Sequence, residues 1–339
     1  MSVRSGRIDW LVELEPVVAR LLERHLGTAR EWFPHQYIPW SRGADFEGPL
    51  GGSSWQSDQS KLSTAARSSL VLNLLTEDNL PGYHYAFATT VSRDGAWGEW
   101  LNRWTAEEDR HAAAIRGYLH TSRAVDPVEL ERARMRQLSA GFTATYQGVL
   151  HGLAYVTVQE LATRVAHRNA GRHSGDPVCE RLMTRIAADE NLHMVFYREL
   201  LRAALEIAPG PALAAILQAV RDFRMPSHAS PDFARLAMDV ALGGIYHVGH
   251  FHEEVAVPLL RSLGVLDLAA VGAAGRRCQE ELGGFLESLR NEAHGFEERR
   301  RRLLEGRARW ERLSGADGPA PAGADGPAPA GVGGPATVR

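Results

Sequence analysis

Lysine, cysteine and long apolar runs are what this chain of 339 residues has least of. Lysine occurs once, at Lys61, so arginine carries nearly all the positive charge, a bias we read as coding preference more than function. The two cysteines, Cys179 and Cys278, have no ligand-like spacing. That argues against a disulfide framework and predicts a reducing, cytoplasmic setting. No stretch reaches the ~18 apolar residues of a spanning helix, so no membrane insertion is expected. The opening MSVRSGRIDW has no apolar signal core. A net charge of −3 makes no general case for nucleic acid or membrane surfaces as partners. What is plentiful is apolar side chain, 44% of residues, enough for a sizeable core.

Helical periodicity organises that apolar content. It predicts helices over 8–27, 62–91, 96–119, 126–139, 144–170, 176–208, 210–225 and 231–262, and a last amphipathic pair over 266–304. Residues 32–60, with Pro34, Pro39, Pro49, Gly51 and Gly52, read as an irregular stretch over the bundle. Pro81 lacks an N–H and clashes with the carbonyl four residues back, so a kink is expected beside Glu77. Residues 315–330 repeat Gly-Ala-Asp-Gly-Pro-Ala-Pro-Ala twice. Such a composition buries no core, so the expected organisation is one domain over 1–305 and a disordered tail over 306–339.

One signature occurs twice. Glu77 is followed 31 positions later by Glu108-Asp-Arg-His111, and Glu160 is followed 30 positions later by Glu190-Asn-Leu-His193. Positions i and i+3 share a helix face, so each Glu-x-x-His presents both groups in one direction. Two helices giving one Glu each and two giving a Glu-x-x-His form the ligand set of a carboxylate-bridged di-metal site in a four-helix bundle, a pattern already described for such proteins. A carboxylate bridges two ions, an imidazole nitrogen binds one. Two divalent cations also neutralise four carboxylates, whose burial alone would cost several kcal/mol each. Oxygen and imidazole donors suit iron or manganese better than thiolate-loving zinc. A single E-x-x-H on a helix is most often a solvated face; the duplication sets this one apart.

At these residues the chain resembles the soluble acyl-carrier-protein desaturases, particularly their actinobacterial branch. The strings are Thr76-Glu-Asp-Asn-Leu-Pro81, Trp104-Thr-Ala-Glu-Glu-Asp-Arg-His111, Val158-Gln-Glu-Leu-Ala-Thr163 and Ile186-Ala-Ala-Asp-Glu-Asn-Leu-His193, with shorter matches at Trp32-Phe-Pro34 and Met225-Pro-Ser-His228. The resemblance spans roughly 8 to 290 and weakens after 230. It implies an all-α, ferritin-like bundle with additional buttressing helices, two iron ions held by Glu77, Glu108, His111, Glu160, Glu190 and His193, and a homodimer. It also implies dioxygen-dependent insertion of a double bond into an acyl chain on acyl carrier protein, with electrons from a ferredoxin-type donor.

The resemblance gives further residues a role. Trp32 matches a tryptophan associated with electron transfer to the metals; an aromatic plug over the core is the plainer reading. Thr163 matches a threonine near the oxygen-binding side, the alternative being a hydroxyl bonded back to Gln159 or Glu160. Asp189 is read as an acceptor that orients a metal-bound histidine, or else as an exposed acid. Tyr83, Phe87, Tyr155 and Met194 are candidate slot-lining residues. Arg132 and Arg136 are candidates for docking an acidic carrier, or a solvated face pairing with Glu129. His247, His250 and Glu254 fall on one helical face, as a polar face or a further metal site. The rival functions are hydroxylation of another carrier-tethered chain, ferritin-like iron binding without an organic substrate, and a radical-bearing subunit using Tyr85 or Tyr155.

Overall fold

A computed structural model describes residues 8–143, 146–225, 232–269 and 271–313. The tail from 314 and the Pro226-Ser227-His228 string lie outside the described residues. The ordered elements are helical, and among the described residues the only β-pairing is an isolated bridge between Phe46 and Ser53. No helix there is long and apolar enough to cross a membrane.

Four helices carry the repeated signature. They are α2 (Thr64–Glu77), α4 (Gly95–Thr121), α6 (Val149–His173) and α7 (Pro177–Ile207). α6 lies along α7, and α2 packs on both α4 and α6. The helix starts follow local chemistry. Ser63 accepts the Ala66 N–H ahead of α2, and Asp176 accepts the Val178 N–H with Pro177 in the first turn of α7. α1 (Trp10–Thr28), capped by Asp9, crosses α4 and α7 and closes one side of the bundle. α5 (Pro127–Ala140) packs near α2, and α8 (Pro209–Asp222) covers α6 and α7. The interior is a continuous cluster in which Trp97, Trp100, Tyr118 and Tyr197 are fully enclosed.

Three expectations are corrected. The helix read over 62–91 is broken, not merely kinked: α2 stops at Glu77 and α3 (Leu80–Thr90) restarts with Pro81 in its first turn, where a missing N–H costs nothing. Glu77 therefore sits at a helix C-terminus. The stretch 231–262 is also two pieces, α9 (Phe233–Leu242) and, after a turn at Gly243–Gly244, α10 (Val248–His250) running through a π turn (Phe251–Ala256) into α11 (Val257–Leu263). Conversely, the pair read over 266–304 is one helix, α12 (Gly272–Leu313), continuing past residue 305.

The turn before α10 removes His247 from any shared helical face. Its Nδ1 accepts the Gly249 N–H at 3.1 Å, so the proton sits on Nε2, which donates to Glu297 on α12 at 2.8 Å. Both nitrogens are used, and this cluster is not among the described groups with metal-ligating geometry. Burial, then His250 and Arg300, push His247 down to about 3 from an ordinary 6.5. A histidine held neutral by the fold contributes stability that is complete above pH 6.5 and is lost as pH falls from there towards 3. Urea unfolding across that window should show a smaller acid-side loss in His247→Gln than in the wild type; parallel curves would contradict the assignment.

Candidate metal centre

Each ligand helix turns its chemistry towards one interior point. Glu77 closes α2, Glu108 and His111 lie a turn apart on α4, Glu160 is mid-way along α6, and Glu190 and His193 lie a turn apart on α7. All six are buried, the two histidines completely.

The oxygens divide by role. Glu108 sends Oε2 to within 3.3 Å of His111 Nδ1 and Oε1 to within 2.8 Å of His193 Nδ1. Glu190 does the same with Oε1 at 3.4 Å and Oε2 at 3.9 Å. Each of these carboxylates thus spans both histidines. Glu77 and Glu160 each offer one oxygen, Glu77 Oε2 at 3.7 Å from His111 and Glu160 Oε2 at 3.5 Å from His193. Their other oxygens are held from outside, Glu77 by His167 at 2.8 Å and Glu160 by the indole N–H of Trp104 at 3.1 Å.

Two overlapping groups result, Glu77–Glu108–His111–Glu190 and Glu108–Glu160–Glu190–His193, with donor atoms in each within 4.8 Å of one another. Glu108 and Glu190 belong to both. Glu108 Oε1, Glu190 Oε1 and both histidine Nδ1 atoms are buried without a hydrogen-bond partner, close to one another but poorly aligned. Lone-pair donors converging in a dry interior are costly unless a cation or proton is shared between them. The residues present therefore fit a pair of divalent cations.

Electrostatics say the same. Burial, then repulsion from Glu190 and Glu108, raises Glu160 well above the usual carboxylate range, and burial with Glu190 raises Glu108. Burial would also raise Glu77 and Glu190, but the His111 and His167 imidazoles beside them outweigh it and lower both. Burial opposes charge on His111 and His193, yet the surrounding carboxylates raise both.

The far nitrogens of the two histidines are held in a crossed pattern. The acid before the motif on one helix faces the histidine of the other. Asp189 on α7 approaches His111 Nε2 at 3.5 Å, and Glu107 on α4 accepts from His193 Nε2 at 2.8 Å. A proton on Nε2 leaves Nδ1 free to face the centre. Asp189 also accepts the Trp32 indole N–H at 2.6 Å and pairs with Arg110 at 3.3 Å and with Arg185. Trp32 is buried and lies parallel to the His111 ring, 6.3 Å away, with Arg110 over its indole at 5.2 Å.

The remaining expectations divide. Thr163 is bonded back to the carbonyls of Gln159 and Glu160 at 3.0 and 3.1 Å, while also lining, with Thr76 and Tyr83, a small cavity of about 10 Å³ against the four glutamates. Phe87 and Met194 are buried but do not line it. Tyr155 donates to the Arg224 carbonyl, and Tyr85 is 71% exposed, so neither is placed as a radical site beside the cluster. Arg132 pairs with Glu129, and Arg136 pairs with Asp232 at the rim of a 430 Å³ cleft whose floor includes Val71 and Leu75 of α2. Sequence reasoning passed over Glu107, His25 and His167. Glu107 stands before its motif as Asp189 does, and His167 is two turns from Glu160 on one face, so both carried a signal.

A helical bundle enclosing a carboxylate and imidazole cluster, with two glutamates common to both halves, defines a class of oxidoreductase scaffold. The chain belongs to the fatty acid desaturase family, whose model matches residues 6–312. It is 42% identical over 317 residues to a Mycobacterium tuberculosis protein named as an acyl-[acyl-carrier-protein] desaturase, DesA1, covering 91% of this chain and 94% of that one. Identity to stearoyl-[acyl-carrier-protein] 9-desaturase 6 of Arabidopsis thaliana is 30%, covering 69% of this chain and 64% of that one. The X-ray structure of M. tuberculosis DesA2 superposes with a TM-score of 0.65 at 29% identity, over 80% of this chain and 99% of that one.

Proposed function

We propose that this protein is a di-iron, dioxygen-dependent desaturase acting on a fatty-acyl chain carried by acyl carrier protein in the cytoplasm. The observation that carries the reading is that Glu108 and Glu190 each direct separate oxygens to His111 and to His193. Two ions would be held by Glu77, Glu108, His111 and Glu190 and by Glu108, Glu160, Glu190 and His193, with Glu108 and Glu190 common to both groups. Removal of two hydrogens from adjacent saturated carbons needs an oxidant, because no side-chain acid or base breaks such bonds at neutral pH. Iron supplies it from dioxygen; with two electrons and two protons the balance is one double bond and two waters.

The chain's own residues do the rest. Asp189 and Glu107 keep both imidazoles in the ligating tautomer. Trp100 against the His193 ring and Trp104 on Glu160, both buried, help to keep water out. Trp32, joined through Asp189 to His111, is the reading for electron entry from a ferredoxin-type donor, consistent with the arginines around it. The cleft rimmed by Arg136 and Arg235 is the candidate seat for an acidic carrier, and the assembly is expected to be a homodimer.

The test is anaerobic loading with ferrous iron, then dioxygen, reduced ferredoxin and a panel of acyl-carrier thioesters, with products read by mass spectrometry. Products lighter by two hydrogens are expected. Products heavier by one oxygen would replace desaturation by hydroxylation, and iron-loaded protein that turns over no thioester would leave the ferritin-like alternative.

A further inference from the structure

The two histidines at the centre are not supported alike, and the difference traces to α1. Glu107 Oε2 accepts from His193 Nε2 at 2.8 Å and, on the same oxygen, from His25 Nε2 at 2.9 Å. Its other oxygen pairs with Arg103 at 2.5 Å. His25 comes from the last turn of α1, is buried, and sits edge-on to Trp100 with ring centres 5.0 Å apart. On the opposite side Asp189 is held by an indole and two guanidinium groups, and its contact to His111 is longer, at 3.5 Å.

We propose that His25 is a positioning residue for the metal centre, acting through Glu107 on His193 alone. The inference rests on the di-metal reading above. A carboxylate pinned at both oxygens offers His193 an acceptor in one place. Without His25, only His193 itself holds Oε2, and Arg103, which is partly exposed, can draw the carboxylate outward. His193 is the sole imidazole of its group, whereas His111 faces Asp189, which is linked to Glu107 at one remove, through Arg110 at 3.3 Å from Asp189 and 3.8 Å from Glu107. Loss of His25 should therefore weaken one ion and spare the other.

Anaerobic equilibrium dialysis against Fe2+ reads this without turnover. The wild type should take two ions per chain. His25→Phe, which keeps a ring against Trp100 but removes the donor, should keep one ion at wild-type affinity and bind the second on the order of 10–100-fold more weakly. His25→Gln, which restores an N–H donor, should recover most of the loss. His25→Phe binding both ions as the wild type does would overturn the proposal. So would three ions per wild-type chain, because His25, Glu107 and His193 would then ligate a cation themselves. Should His25→Phe fail to fold, Glu107→Gln carries the test: half-loading is expected, and two ions at wild-type affinity overturn it. A wild type that binds fewer than two ions sinks the di-metal reading itself, an outcome distinct from an unchanged variant.

Discussion

Glu190→Ala is expected to leave well under two irons per chain and no measurable desaturation, and Glu108→Ala the same. Glu77→Ala and Glu160→Ala are each expected to retain close to one iron. The asymmetry follows from which oxygens face inward. Glu108 and Glu190 present both oxygens to the centre, one to each histidine, so deleting either removes a donor from both groups. Glu77 and Glu160 present one oxygen each, the other being occupied by His167 or Trp104. Glu190→Ala also strips His111 and His167 of a nearby acceptor, and a buried polar group left unsatisfied costs about 1–3 kcal/mol. Iron analysis of anaerobically reconstituted protein, beside a circular dichroism check of folding, measures the result. Full iron retention in both Glu108→Ala and Glu190→Ala would remove the basis for a shared pair of bridges.

Asp189→Asn is expected to lower stability by about 3 kcal/mol and to weaken the ion served by His111 on the order of tenfold or more. Asp189 is buried and holds its charge: burial works against ionisation, but the His111 hydrogen bond and charge, Trp32 and Arg185 lower it below its ordinary value. The amide keeps the shape and loses that charge. Arg185 would then lie over the Trp32 indole without the Asp189 charge, and Arg110 would keep only its longer contact to Glu107 at 3.8 Å. Urea unfolding of the metal-free protein reads the first effect and Fe2+ dialysis the second. A variant matching the wild type in both would show that Asp189 neither anchors Trp32 nor orients His111.

These expectations differ in how early they were legible. The six candidate ligand positions stand out in the sequence because the Glu-x-x-His spacing depends only on helix geometry, which any i and i+3 pair shares. The crossed pairing was half visible. Asp189 was read as an orienting acid, while Glu107, its counterpart, was passed over. Nothing in the string alone says that an acid on α4 faces a histidine on α7, since that depends on how the two helices are set against each other. His25 had no local signal, lying on α1 far from any motif. The break between α2 and α3 was signalled by Pro81, but its size was not: a kink and a full restart satisfy the missing N–H equally well.

By itself the sequence determined that the chain is helical, that it has four acid-bearing helices and that two of them carry an acid and an imidazole on one face. These are properties of periodicity and near neighbours. Only the tertiary structure decided which glutamates are common to both groups, which oxygens are already held from outside, and which acid supports which histidine. Those are contacts between residues such as His193 and Glu107, 86 positions apart. Their distances are set by side-chain packing across the bundle, which no local pattern encodes.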